Sequence, residues 1–246
     1  MPPKQKTIIL FLLISAVVFI TFLPSLFCGF TNFDDNWMLT DNHLVRILSI
    51  EHIIKNIFGN IYNGVYQPLV FLSFAIEYYF FGLKPFVYHL DNVVLHILNT
   101  LLVFIFINLL SENKSAALVG CFFWSLHPMR VESVTWITER KDLLYAFFYL
   151  LSLIKYVHYL KSGKKKIDMT LSLAFFLLSC LSKLTAVSLS FIIVLLDYYY
   201  YRKPDIKAIA EKAVYFTISL GVGIFSLLAL KKDDEVITSF KFSAME

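Results

Sequence analysis

The sequence has few charged residues and few cysteines, and both shortages narrow the class of protein. Charged side chains make up 16% of the 246 residues, whereas a typical soluble domain has roughly a quarter. None of the three cysteines (Cys28, Cys121 and Cys180) belongs to a C-x-x-C pair, so no metal cluster or redox motif is indicated. The net charge of +4 is modest, and we expect no nucleic-acid partner.

Apolar side chains are present in excess of what a soluble fold can bury. Hydrophobic residues make up 58% of the chain and aromatic residues 17%, and the mean hydropathy is +0.69. A soluble domain of this length has too little interior for that apolar surface. The composition therefore predicts an integral membrane protein of the all-α class, a polytopic transmembrane helical bundle.

About seven apolar segments approach the roughly 20 residues that a membrane-spanning helix needs. The first is too long for a usual signal-peptide core and has no small-x-small cleavage site after it, so it is predicted to be a retained signal anchor. The predicted spans are Thr7–Phe27, Phe86–Leu110, Ser115–His127, Asp142–Leu160, Ile167–Leu181, Leu184–Tyr200 and Ala208–Leu230.

The distribution of basic residues predicts an orientation. If Lys4 and Lys6 lie in the cytoplasm, the basic runs Lys161–Lys166 and Arg202–Lys207 fall on the same side, as the positive-inside rule expects. The N-terminus is therefore predicted to be cytoplasmic. The compartment would be the plasma membrane of a bacterium or the endoplasmic reticulum of a eukaryote.

Residues 28–85 form one long outer loop that is too apolar for a simple linker. The spacing of apolar residues from Ile47 to Phe58 predicts an amphipathic helix lying on the membrane. The stretch Gln67–Phe81 contains Glu77 and is predicted to be an interfacial or re-entrant helix; the alternative is a further span, which would invert the downstream topology. We expect residues 1–246 to form a single transmembrane domain without internal repeats.

Two adjacent carboxylates, Asp34 and Asp35, lie just beyond the first predicted span. Such a pair near a membrane surface is able to bind a divalent metal or to act as a general base toward an incoming hydroxyl. The alternative is a solvated turn in which one aspartate caps a helix.

A second group of ionisable residues joins two predicted membrane helices. Charged groups near a bilayer usually belong to a pathway or a site, because an idle charge there is costly; the alternative is a loop of internal ion pairs. Lys183 divides two apolar runs on the same predicted face, where a lysine must snorkel, pair or hold an anion. The candidate residues are His127, Arg130, Glu139, Arg140 and Lys183.

Taken in their order along the chain, these segments resemble the membrane domain of GT-C superfamily glycosyltransferases. The resemblance is greatest to the transmembrane and tetratricopeptide-repeat O-mannosyltransferases and their bacterial relatives. The block from His127-Pro128 to Arg140-Lys141-Asp142 carries the most specific resemblance. The other matching segments are the acidic pair, residues 66–69 and 82–92, and Ser182-Lys183 through Tyr198, so the resemblance covers most of residues 28–200.

The resemblance implies an enzyme that moves a sugar, often mannose, from a polyprenyl- or dolichyl-phosphate carrier to a protein hydroxyl or another acceptor on the lumenal or periplasmic face. An acidic residue, Asp34 or Asp35, would orient or deprotonate the acceptor. The leaving lipid phosphate needs positive charge, for which the candidates are Arg140 and Lys183, with Arg130, His127 and Glu139 beside them. The lipid-linked sugar is the donor substrate, and no cofactor is certain.

The resemblance also implies segments that this sequence does not contain. Relatives usually carry more membrane helices and then a tail of helical repeats, so we expect C-terminal helices or a repeat domain to be missing. Two other functions stay open. One is a non-catalytic or truncated membrane subunit that binds a lipid or a partner. The other is a small-solute transporter, favoured by polar residues on the second span (His89, Asp91, Asn92, His96 and Asn99).

Overall fold

The computed structural model describes residues 3–163, 165–203 and 205–243, with side chains between residues 5 and 228. Lys164, part of the basic run used above, lies outside the described residues. Within them the fold is all-α, as predicted, with nine helices of six or more residues and no strand. The helices are α1 (Pro3–Phe22), α2 (Pro68–Phe81), α3 (Pro85–Ser111), α4 (Lys114–Ser125), α5 (Arg130–Thr135), α6 (Arg140–Lys161), α7 (Lys166–Ser182), α8 (Leu189–Tyr199) and α9 (Ile206–Ser243).

Four helical segments are long and apolar enough to cross a membrane, which confirms the prediction of a multi-pass membrane protein. The other three predicted spans fall on α4, α7 and α8, which have 12, 17 and 11 residues. They are shorter than a full span of about 20 residues, so the predicted number of seven is not confirmed. The four long segments are Gln5–Phe27, Pro85–Ser111, Ile137–Lys161 and Ile206–Leu228.

Proline and tight turns explain where the shorter helices end. α1 gives way to a 3₁₀ turn over Leu23–Phe27 that contains Pro24 in its first turn. α4 ends at Ser125 rather than His127, because the residue before Pro128 is disfavoured in the helical conformation. The predicted span Leu184–Tyr200 begins with a 3₁₀ turn over Leu184–Ser188, so only its second part is α-helical.

Helices α6 and α7 form an antiparallel hairpin, and small residues bring their backbones together. The hydroxyls of Ser152 and Ser172 each donate to the other residue's carbonyl, both at 2.8 Å, and the Ser179 hydroxyl donates to the Tyr145 carbonyl at 2.9 Å. Small and hydroxyl-bearing residues serve the same purpose in many membrane helix pairs. The start of α6 and the end of α7 therefore lie together, at what we call the site end of the bundle.

The first outer loop, residues 28–85, is folded over its own apolar core at the site end. The predicted helix between Ile47 and Phe58 is present from Ile50 to Ile57, where a helical turn at Ile50–His52 passes into a π-helical turn at Ile53–Ile57. Ile50 and Ile54 are exposed while Ile57 is buried, so this segment still has an outward apolar face. Helix α2, with 14 residues, packs into the same core, and its interfacial position stays a prediction.

Candidate active site

Asp35 attaches the first outer loop to the turn between α5 and α6. Its side chain is buried, and one carboxylate oxygen accepts hydrogen bonds from the backbone N–H and hydroxyl of Thr31 at 2.8 and 3.0 Å. The other oxygen accepts from the Trp136 indole at 3.0 Å and from the N–H and hydroxyl of Thr138 at 3.3 and 2.9 Å. Five donors thus hold this carboxylate, which makes it an anchor for the turn.

Asp34 has a different environment although it is the adjacent residue. It accepts one hydrogen bond, from the Trp37 indole at 3.0 Å, and its side chain is 24% exposed. Its second oxygen lies 3.6 Å from the Lys141 ammonium, which also pairs with Glu139 at 2.8 Å. Of the two predicted acids, Asp34 is the one that an incoming hydroxyl can reach.

Arg140 is fully buried, and each of its three guanidinium nitrogens donates to a group within the protein. It forms an ion pair with Glu77 of α2, and it donates to the Asn92 side chain and the Tyr88 carbonyl, both at 2.8 Å. Its guanidinium also lies 4.9 Å from the centre of the Phe74 ring. The arginine connects α2, α3 and α6, and this burial leaves no surface with which to hold a lipid phosphate.

Lys183 reaches the site end from α7 and pairs there with Asp142 of α6. The other carboxylate oxygen of Asp142 accepts a hydrogen bond from the Ser133 hydroxyl at 3.3 Å. Glu139 lies close enough to Lys141, Asp142 and Lys183 to interact with the charge of each, so the two ion pairs are neighbours at the site end. The structure therefore brings together the three outer segments that the sequence predicts to converge.

A cavity of about 190 Å³ opens beside these ion pairs. Its polar part is formed by Arg130 and Asp142, and Arg130 lies with its guanidinium 4.9 Å from the Trp124 ring centre. In the part of the chain that the structure describes, no carboxylate forms an ion pair with Arg130. The rest of the lining is aromatic and apolar and comes from α3, α4 and α6: Val103, Trp124, Tyr145, Ala146, Tyr149 and Leu150.

The remaining predicted residues lie beside this arrangement. His127 is exposed, packs its ring 5.8 Å from that of Phe123, and is not among the residues lining the cavity. Glu139 is largely buried and serves as the partner of Lys141. Among the described residues no group of three His, Cys, Asp or Glu side chains is placed to hold a metal ion.

Sequence reasoning assigned no role to Lys141 or Asp142, although both stand in the most specific motif. Their signal is the consecutive run Arg140-Lys141-Asp142 at the start of a helix. Residues that follow one another on a helix point about 100° apart. One of the three is therefore able to face the core while the next two face the surface. In the structure Arg140 faces the core, and Lys141 and Asp142 face the surface.

Most of the polar stripe of α3 faces protein, although Asp91 is exposed. Asn92, His96 and Asn99 are inaccessible to solvent. The His96 ring hydrogen-bonds the Ser125 carbonyl at 3.0 Å, and the Asn99 amide donates to the Leu143 carbonyl at 2.9 Å. Such bonds satisfy backbone carbonyls near helix ends inside an apolar bundle, so the stripe has a packing role.

Comparison with known proteins gives the same family that the motifs indicate. Protein O-mannosyl-transferase TMTC3 of Homo sapiens is 32% identical over 154 residues, 58% of this chain and 16% of that protein. Protein O-mannosyl-transferase Tmtc1 of Drosophila melanogaster is 30% identical over 181 residues, 71% of this chain and 21% of that protein. Protein O-mannosyl-transferase tmtc2 of Xenopus laevis is 34% identical over 160 residues, 59% of this chain and 18% of that protein.

No protein-family profile and no solved structure matches this chain. The aligned regions amount to between 16% and 21% of the length of these three relatives. Over part of its length, the chain thus resembles the transmembrane and tetratricopeptide-repeat O-mannosyltransferases, as its motifs predict.

Proposed function

We propose that this chain is the sugar-transferring membrane portion of a protein O-mannosyltransferase. It would take mannose from a polyprenyl- or dolichyl-phosphate carrier and place it on a protein hydroxyl. The observation that carries the proposal is the row of ion pairs at the site end, from Asp34 and Lys141 to Asp142 and Lys183, next to a cavity with a polar part and an aromatic and apolar part. A lipid-linked sugar phosphate has the same division into a polar head and an apolar tail.

We assign the donor phosphate to Arg130, with Lys183 as a second cation. Arg130 lies at the cavity, and within the described residues it has no acidic partner to compete with a ligand. Arginine is able to grip a phosphate with two parallel hydrogen bonds, while lysine supplies a point charge. We assign a structural role to Arg140, the cation that the resemblance favours, because each of its guanidinium nitrogens donates inside the protein.

We assign the acceptor to Asp34. In the proposed step the acceptor oxygen attacks the anomeric carbon, and the bond between that carbon and the phosphate oxygen breaks. Asp34 takes the proton of the acceptor hydroxyl, and the phosphate leaves on its polyprenol with the bonding electron pair. Arg130 and Lys183 offset the negative charge of the leaving phosphate.

The proposed compartment is the endoplasmic reticulum, because the relatives reported above are animal proteins. With the N-terminus in the cytoplasm, α1 would carry the acidic pair to the lumenal face, where the whole site end would lie. We treat residues 1–246 as one transmembrane domain.

The proposal is tested by mannose transfer in proteoliposomes, with labelled dolichyl-phosphate mannose as donor and a serine- and threonine-rich peptide as acceptor. We expect Asp34→Asn to abolish transfer while the protein stays folded. Asp41→Asn, an exposed aspartate in the same loop, is the matched control and should transfer at the native rate. Unchanged transfer by Asp34→Asn would contradict its role, and no transfer by the native chain would favour a lipid-binding subunit.

The transporter alternative is not favoured, because its support was the polar stripe of α3. Asn92, His96 and Asn99 are inaccessible to solvent and hydrogen-bond carbonyls of neighbouring segments, whereas a transport path needs polar groups that face a water-filled cavity.

A further inference from the structure

A second pocket lies at the end of the bundle opposite the site end. It has a volume of about 520 Å³ and is lined by Leu110 and Glu112 at the end of α3, Lys161 at the end of α6, and the run Tyr198–Tyr201 at the end of α8. Tyr198 and Tyr201 are more than four-fifths exposed. Tyrosine is enriched where a helix leaves the membrane, because its ring is apolar and its hydroxyl is polar.

The tyrosine wall of this pocket is fixed by the residues behind it. The Tyr199 hydroxyl donates to the Leu110 carbonyl at 2.9 Å, which ties the α8–α9 turn to the end of α3. Behind the turn, Asp197 accepts from the Tyr156 hydroxyl at 2.5 Å and pairs with Lys212 of α9. The part of the wall that Tyr199 and Tyr200 form therefore does not have to be ordered when a ligand binds.

One cation, Lys161, lines the pocket and is held in place by the groups around it. The Lys161 ammonium donates to the Leu109 carbonyl at 2.7 Å and to Glu112 at 3.0 Å, and it lies 5.7 Å from the Tyr200 ring centre. An ammonium group has three N–H donors, and Lys161 also interacts with the Tyr200 hydroxyl, so a ligand oxygen would replace Glu112 or Tyr200 as a partner of Lys161. The surrounding surface is basic, with exposed lysines at positions 114, 165, 166, 203 and 207.

We propose that this pocket binds the phosphate headgroup of an anionic glycerophospholipid from the adjacent leaflet. Lys161 would donate to a phosphate oxygen, and the hydroxyls of Tyr198 and Tyr201 would complete the contact. The neighbouring lysines would raise the local concentration of anionic lipid through a diffuse field. This site is separate from the proposed transfer site and does not depend on it.

The test is lipid binding by native mass spectrometry of the detergent-purified full chain, titrated with dioleoyl phosphatidylglycerol or with dioleoyl phosphatidylcholine. We expect clear preference for the anionic lipid and a roughly tenfold weaker affinity for Lys161→Gln, the size of a lost charge-assisted hydrogen bond. Glu112→Gln should bind more tightly than the native chain, because it removes the carboxylate that competes with the lipid for Lys161.

The control Lys166→Gln removes the same charge from an exposed position outside the pocket and should change affinity less than about twofold, since a surface charge acts through a screened field. If Lys161→Gln does not fold, the double variant Tyr198→Phe/Tyr201→Phe keeps both rings and should still weaken binding. Equal effects of Lys161→Gln and Lys166→Gln, equal binding of the two lipids, or weaker binding by Glu112→Gln would each overturn the proposal.

Discussion

Breaking the buried ion pair between Glu77 and Arg140 should strongly destabilise the site end. Arg140 is completely buried, and its removal in Arg140→Gln leaves the Glu77 carboxylate without its cation in an apolar setting. Breaking a buried pair in this way costs about 3–5 kcal/mol of unfolding free energy. We therefore expect Arg140→Gln to be among the most destabilising single substitutions at this end of the chain.

Substitution of the acidic partner, Glu77→Gln, should lower the unfolding free energy by less. In Glu77→Gln the arginine keeps the Asn92 side chain and the Tyr88 carbonyl at 2.8 Å, and it lies 3.5 Å from Asp91. We expect a loss of about 1–3 kcal/mol, the range for a hydrogen bond to a charged group. The double variant should lose less than the sum of the two, by on the order of 2 kcal/mol, because it leaves no unpaired carboxylate.

The measurement is the unfolding free energy in detergent micelles, from titration with sodium dodecyl sulfate followed by tryptophan fluorescence. The control is Lys55→Gln, which breaks an exposed pair with Glu51 and should change stability by less than about 1 kcal/mol. If Arg140→Gln were no more destabilising than this control yet lost donor-lipid binding, the arginine would be a ligand for phosphate and our assignment would be refuted.

Three further predictions follow from the same geometry. Asp35→Asn should lower the unfolding free energy by about 1–3 kcal/mol, because a carboxylate held by five donors is lost. Asp34→Asn should change the unfolding free energy by less than about 0.5 kcal/mol. Titration with sodium dodecyl sulfate measures both. Gly82→Ala should cost about 1–3 kcal/mol from backbone strain alone, since Gly82 has φ +64° and ψ −155°, a region essentially restricted to glycine, and nothing lies near an added Cβ; thermal unfolding checks this. Ala146→Phe should occupy the cavity and reduce binding of dolichyl-phosphate mannose without lowering the melting temperature.

The membrane class and the main helices could be predicted from the sequence because each depends on local composition. The 27 residues of α3, for example, lie between Pro85 and the αL residue Glu112, and both boundaries agree with the predicted span within a residue or two. The shorter helices were less predictable, because a proline or a 3₁₀ turn divides an apolar run without lowering its hydrophobicity.

The assignment of roles within the site could not be predicted from the sequence. Asp34 and Asp35 are identical in type and adjacent, and only the fold decides that Trp136 and Thr138 surround one of them. The same holds for Arg140 and Arg130. Arg140 pairs with Glu77, which lies about 60 residues earlier in the chain, whereas Arg130 lines a cavity.

The most direct test of the central claim is the binding of labelled dolichyl-phosphate mannose to the full chain in lipid nanodiscs, compared between the native protein, Arg130→Gln and Arg140→Gln. The account predicts that Arg130→Gln weakens binding about tenfold, the size of a lost bidentate contact to phosphate, with the unfolding free energy unchanged. It predicts that Arg140→Gln acts through stability, so that its folded fraction binds the donor as the native chain does. Native affinity in Arg130→Gln, together with lost affinity in folded Arg140→Gln, would contradict the account.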